Sequence, residues 1–481
     1  MDNQAVKSVI NGLEPDILTS VVKTFAIEPH ETGYPLSSEA EQNKANLVSL
    51  CRTSHQFRFA ATPYLYNTVI LSRARLGRNC DSLVLFLRSL AENPLLRSRV
   101  KHLACLINLA PASPTIDHDS DAKFINTGWE KLSPGLTVST SSDIHLLALA
   151  GLAATALANG FSPLLCLATG LESVLFQVPI QHPLDGQGKW KYAVASSIIN
   201  KVLRDPEIGQ TVLQKLTTVK VQPDMEHPLA LYEGAAHIGI GCDACPGLFE
   251  APNVTTVEAF KESCGWEALP RGIKDLSLYG IIKPETLGII SGYPMLERLT
   301  VQPAPEGMAE AVLTADVFNT GLAKLAPTLR YLDFQTMANT SLTSSYGPTK
   351  CLGSLVQLTQ LEDLLIEIFA LFGTSARIDQ LALADVVPGS LKKLVLTERW
   401  VLGDPILTTK RDRLGPYREK MMRLLVRFAE DCPSRMPNLR NFVLVRHGDM
   451  TEEVCRPESP AFERLKLLFT NIGVKLSLEC F

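Results

Sequence analysis

The sequence predicts an α/β chain: a small helical unit over residues 1–70, then an irregular solenoid of strand–helix units with a curved parallel sheet over residues 71–481. Three observations predict it. A short apolar phrase recurs along most of the chain, amphipathic helical stretches separate its copies, and the opening residues carry helical rather than strand periodicity.

The helical unit comes first. "LEPDILTSVVKTF", residues 13–25, has apolar side chains at helical spacing and a proline near its first turn, where a missing N–H costs nothing. The polar stretch "EPHETGYPLSSEAEQNK" that follows is rich in turn formers. A second helical pattern runs through "ANLVSLCRTSHQFRFAATPYLY", with Leu47, Leu50, Cys51 and Phe57 on it, and "NTVIL" at 67–71 reads as the first strand. So small a unit keeps few side chains fully inside, which leaves several of its large apolar residues exposed. A contiguous exposed apolar patch marks a protein interface.

In order and type these residues resemble an F-box, the helical module that recruits the Skp adaptor of SCF ubiquitin ligases. "LEPDIL" stands where that family has Leu-Pro-Pro-Glu-Ile-Leu, and "NLVSLCRTSHQF" stands where it has Asp-Leu-Leu-x-Leu-x-x-Val-Cys-Arg-x-Phe. "PYLYNTVIL" and "FLRSLAENPLLRSRVKHL" are similar to the continuation in fungal F-box proteins. Glu14 replaces the first proline, and the segment 26–45 is longer than the usual inter-helix loop. The resemblance implies that Leu13, Pro15, Ile17, Leu18, Leu47, Leu50 and Phe57 form a surface for Skp and, through it, cullin. It implies a non-catalytic substrate receptor in ubiquitin-dependent protein degradation, cytoplasmic or nuclear, with no cofactor. The alternative is a repeat scaffold for protein interaction that recruits no ligase.

Downstream, the phrase begins at Val100 ("VKHLACL"), Leu171 ("LESVLFQ"), Leu216 ("LTTVKVQ"), Val254 ("VTTVEAF") and Ile273 ("IKDLSLY"). It continues at Leu296 ("LERLTVQ"), Leu329 ("LRYLDFQ"), Leu361 ("LEDLLIE"), Leu391 ("LKKLVLT") and Leu439 ("LRNFVLV"), with a terminal copy expected at Val474 ("VKLSLEC"). Apolar-x-x-apolar-x-apolar puts the last two apolar side chains on one side of a strand and the first at the turn entering it. It resembles the strand phrase of a leucine-rich repeat. Stretches such as "PETLGIISG", "DVFNTGLAKLA" and "REKMMRLLVRFAEDC" supply amphipathic helices between copies. No such unit buries its apolar face alone, so stacking follows. The spacing is uneven, and long intervals such as "TERWVLGDPILTTKRDRLGP" are expected to carry rim loops.

The residues flanking the inward pair on each strand are expected to face solvent in rows. Among them Arg298, Gln302, Tyr331, Asp333, Asp363, Glu367 and Lys393 are the candidates for holding an unidentified target protein. Tyr and Arg are common at interface hot spots, and the mixed charge fits a protein rather than a polyanion.

Composition bounds the rest. Net charge is −4 and the pI about 6.2, which gives no basic footprint for nucleic acid or an anionic membrane. The 11 cysteines are odd in number and scattered through a long chain, the pattern of reduced thiols rather than of a disulfide framework. The N-terminus has no basic region followed by an apolar run, so no signal peptide is expected. The apolar run from Ile144 is broken at "NGFSP", short of the about 18–20 residues that a membrane span needs. Cys242 and Cys245 have the gap that lets two thiolates share a zinc ion, and His237 and Cys264 could complete a set, but no second Cys-x-x-Cys follows. No metal is therefore assigned. His118 between Asp117 and Asp119 reads as a solvated loop, and no catalytic motif is present.

Overall fold

The computed structural model describes residues 14–27, 38–72, 92–106, 167–178, 213–223, 251–260, 271–280, 290–303, 315–335, 352–372, 380–399, 414–447 and 460–480, with Phe86, Ser89, Leu90 and Gly288. The chain divides into two compact units, residues 1–255 and 256–481, so the expected boundary at 70/71 lies inside the first.

The first unit opens with α1 (Pro15–Lys23), α2 (Ser38–Thr53) and α3 (His55–Asn67). Pro15 starts α1 at a position that needs no N–H, while the amides of Ile17 and Leu18 bond to the Glu14 carbonyl. Asp16 in its first turn and Lys23 in its last complement the helix dipole. Ser54 caps α3, its Oγ accepting the Phe57 amide at 3.1 Å. Leu18 and Val22, Leu47, and Phe57 and Ala61 come from the three helices into one buried cluster, with Phe25, Leu50, Cys51, Tyr64 and Leu65 packed around it. Thr68 fastens the cluster to the first strand by donating to the Ile27 carbonyl at 3.1 Å.

Strands β1 (Thr68–Ser72), β2 (His102–Leu106), β3 (Ser173–Val178) and β4 (Thr218–Pro223) follow, each parallel to the next in sequence order. Register sets Val69, Leu103, Val174 and Val219 side by side, all buried. The opposite face carries a second apolar cluster of Ile70, Ala104 and Leu175. This sheet is therefore covered on both sides along β1–β3, as parallel sheets generally are.

The second unit holds β5 (Thr256–Phe260), β6 (Asp275–Gly280), β7 (Arg298–Pro303), β8 (Tyr331–Phe334), β9 (Asp363–Glu367), β10 (Lys393–Arg399), β11 (Asn441–His447) and β12 (Lys475–Cys480). All neighbours are again parallel and in sequence order. Leu276, Leu299, Leu332, Leu364, Leu394, Phe442 and Leu476 form one buried row across the strands. Leu278, Val301, Phe334, Ile366, Leu396 and Leu444 form the next. Three α-helices add their apolar stripes to this core: α4 (Ala315–Leu325) contributes Leu322 and Leu325, α5 (Leu414–Arg435) contributes Met421, Leu425 and Phe428, and α6 (Pro460–Asn471) contributes Leu465 and Phe469.

One device starts the strands flush. The carbonyl of Glu297 accepts from the amides of Arg330 at 2.8 Å and Tyr331 at 3.0 Å, and that of Arg330 accepts from Glu362 at 2.8 Å and Asp363 at 3.0 Å. Glu362 and Lys392 repeat the pattern with the next turns. The turns themselves close by Leu296 N–H on the Tyr293 carbonyl and Leu439 N–H on the Met436 carbonyl. Pro294 and Pro437 stand second in them, where a fixed φ suits a tight turn.

The terminal copy is framed differently from the expectation. Leu476, not Ser477, pairs with Phe442, so Gly473 rather than Val474 stands where the other copies have their first apolar residue. Gly473 has φ +77 and closes α6 with the Val474 amide on Phe469 O and its own on Thr470 O. That helix stop requires a left-handed residue, which a leucine would adopt only under strain.

Candidate interaction surface

The strand starts of the second unit carry the richest polar display. Asp275, Arg298, Tyr331, Asp363, Lys393, Asn441 and Lys475 occupy one register row on β6–β12. Arg298 Nε reaches Asp275 Oδ2 at 3.3 Å, and its guanidinium lies 3.9 Å from the centroid of the Tyr331 ring. Burial, then the nearby Asp333 carboxylate, push the Tyr331 phenol above its ordinary range, so it stays neutral and presents a rigid face with a polar tip.

One residue earlier, the turns form a second row of alternating sign. Lys274 Nζ stands 3.8 Å from Glu297 Oε1, Arg330 Nη1 stands 3.0 Å from Glu362 Oε1, and Lys392 Nζ stands 2.7 Å from Glu362 Oε2. The hydrogen bond from Lys392, then the charges of Lys392 and Arg330, hold the Glu362 carboxyl below its usual range. A depressed carboxylate pKa stabilises the fold above the unfolded value and loses that contribution as pH falls through the folded one. Glu362→Gln is thus expected to lower stability modestly at neutral pH, with the difference from the parent disappearing as pH falls through the depressed Glu362 range, so that the variant's acid limb is flatter. Urea midpoints of both proteins at neutral and acid pH check it, and added salt shrinks the difference, because the side chains are partly exposed.

Five of the seven sequence candidates for target contact are at least partly accessible: Arg298 and Lys393 are exposed, and Gln302, Tyr331 and Asp363 are intermediate. Asp333 and Glu367 are corrections. They are 7% and 4% exposed, so neither carboxylate is displayed to a macromolecule. Asp333 accepts a hydrogen bond from Gln335 Nε2 at 2.8 Å, and Glu367 lies in register with buried Thr397. Strand alternation sends these side chains to the second face, which is accessible at the strand starts but closes over Asp333, Glu367, Val395 and Thr397 further along the strands. Asn441 and Lys475 were missed by the sequence reading, and they sit in "LRNF" and "VKLS" at the first position of their strands.

On the helical unit the expectation divides. Pro15 is exposed and Ile17 is 48% exposed, whereas Leu18, Leu47 and Phe57 are buried in their own cluster and Leu50 is half-buried against it. Those three close the core that lets the helices pack, which removes them from any uncovered surface. Leu13 lies outside the described residues. The exposed apolar side chains that sequence reasoning missed are Val21, 40% exposed, and Phe59, 81% exposed. Val21 follows Ile17 by one helical turn, and Phe59 follows Phe57 by a spacing that puts the pair on different sides of a helix.

Cys242, Cys245, His237, Cys264 and His118 lie outside the described residues. Among the described residues, no group of three or more His, Cys, Asp or Glu side chains could hold a metal, and no helix is long and apolar enough to cross a membrane. Burial raises the Cys51 thiol and pushes Cys432 up to about 12, so both stay protonated and unreactive at neutral pH. No protein-family model matches the chain, and no curated protein is similar to it in sequence beyond chance.

Proposed function

We propose that the chain is a non-catalytic substrate receptor of the F-box type, in which the N-terminal helices dock Skp and a leucine-rich-repeat surface holds a target protein. The observation that carries the reading is the apolar ridge of Ile17 and Val21, left exposed on a helix whose adjoining ridge, Leu18 and Val22, already fills its own core. A helical unit with a complete core and a spare apolar ridge has the anatomy of a docking module. The polar row led by Arg298 and Tyr331 supports the second half, since aromatic and guanidinium side chains dominate interface energetics. In this mechanism other subunits perform ubiquitin transfer. The receptor contributes proximity, raising the effective concentration of the target's lysine.

The rival is a repeat scaffold that recruits no ligase, and the enclosure of Leu18, Leu47 and Phe57 favours it. Retention of Skp and cullin by the purified full chain separates the two. Capture at micromolar concentration is expected, and its absence would decide for the scaffold.

A further inference from the structure

The strand-start row is not evenly charged. Asp275 is matched by Arg298, and in the turn row Glu362 is matched by Arg330 and Lys392, but beyond Asp363 the strand-start row reads Lys393, Asn441, Lys475, all exposed. Among the described residues none of Lys393, Arg440 and Lys475 forms an ion pair. Arg440 stands beside them and is held by its own turn, Nη1 donating to the carbonyls of Pro437 and Leu439 at 3.2 Å each. The last three strands thus begin in a cationic strip, and Asn441 between the two lysines adds a neutral donor and acceptor.

We infer that this strip binds an extended peptide segment of a partner protein bearing anionic side chains three residues apart. The spacing follows from the sheet. Lys393 and Lys475 are two strands apart in register, hence about 10 Å, and three residues of a polyproline II chain also cover about 10 Å and bring the side chain back to the same face. A peptide crossing the strand starts sets one anion on Lys393, one on Lys475, and the backbone between them against the Asn441 amide. Asp363 on β9 bounds the strip, so an anion displaced by one strand meets a like charge. The inference rests on the strand-start row being the surface that holds the target, and it does not depend on Skp recruitment.

The test uses the full chain and fluorescence anisotropy with three labelled peptides of otherwise small, neutral residues. One carries Glu at positions i and i+3, one phosphoserine at both, and one Gln at both. The anionic peptides are expected to bind roughly tenfold tighter than the Gln peptide, and salt is expected to erase the difference. Lys393→Glu combined with Lys475→Glu is expected to abolish it without moving the circular dichroism spectrum. Tight binding of both anionic peptides assigns the recognition to carboxylate charge, and tight binding of the phosphoserine peptide alone assigns it to phosphate. Equal affinity for all three, or indifference to the charge reversal, overturns the inference. So does preference for a single-stranded oligonucleotide of equal charge. Failure here alongside Skp capture removes the peptide and leaves the receptor, whereas peptide binding without Skp capture does the reverse.

Discussion

Phe442→Ala is expected to destabilise the unit of residues 256–481 by about 3–5 kcal/mol, the usual cost of deleting a fully buried phenyl ring. Phe442 stands on β11 in the buried row, its ring centroid 5.6 Å from that of Phe428 on α5 and 5.1 Å from that of Phe469 on α6. Phe428 and Phe469 are themselves 6.1 Å apart, so the three rings close a triangle joining both helices to the sheet. Removing Phe442 leaves a cavity and cuts two of the three ring contacts, each worth about 0.5–1.5 kcal/mol beyond its buried area. A domain with about 5–15 kcal/mol of total stability loses a large share of it. Urea unfolding followed by circular dichroism reads the change. Leu467→Ala supplies the control: at 61% exposure on α6 it is expected to stay within about 0.5 kcal/mol. A Phe442→Ala midpoint as close to the parent as the control's would mean that the aromatic triangle does not support the fold.

The strand rows were legible because two signals coincide in each phrase. Leu296, Leu299 and Val301 give the strand alternation together with the apolar residue that anchors the turn, and Pro294 marks the turn itself. Where one signal fails the frame slips: at the last copy the helix stop takes Gly473, no leucine marks the entry, and Val474 stands in the wrong register position. The second face was less legible. Alternation says that Asp333 and Glu367 leave the core, but not whether another layer covers them, since that depends on segments remote in sequence. The consecutive apolar letters of Val69 and Ile70, or Val174 and Leu175, were the available signal that the first unit buries both faces. On α1 the sequence offers two adjacent apolar ridges, Ile17–Val21 and Leu18–Val22, and helical spacing alone does not say which one turns inward. Packing against Leu47 and Phe57 selects the second.

That selection makes a clean separation of folding from docking feasible. Leu47→Asp would break both, because it puts a charge into the helical core. Ile17→Glu with Val21→Lys touches only the exposed ridge. The new glutamate sits near the N-terminus of α1 and the new lysine near its C-terminus, four residues on, so dipole and pairing both favour the helix by a few tenths of a kcal/mol. The urea midpoint is therefore expected to hold or rise slightly. The surfaces removed from the proposed docking face are the exposed 48% of Ile17 and 40% of Val21. Burial of those portions is worth about 2 kcal/mol in all, roughly thirtyfold in Kd, before the cost of desolvating two charges against Skp. Retention of Skp by the full chain is expected to fall by at least that factor, with the anionic-peptide affinity unchanged. Wild-type retention by the double variant would show that α1 does not form the docking surface, and the exposed ring of Phe59 on α3 would then be the next apolar candidate among the described residues of the three helices.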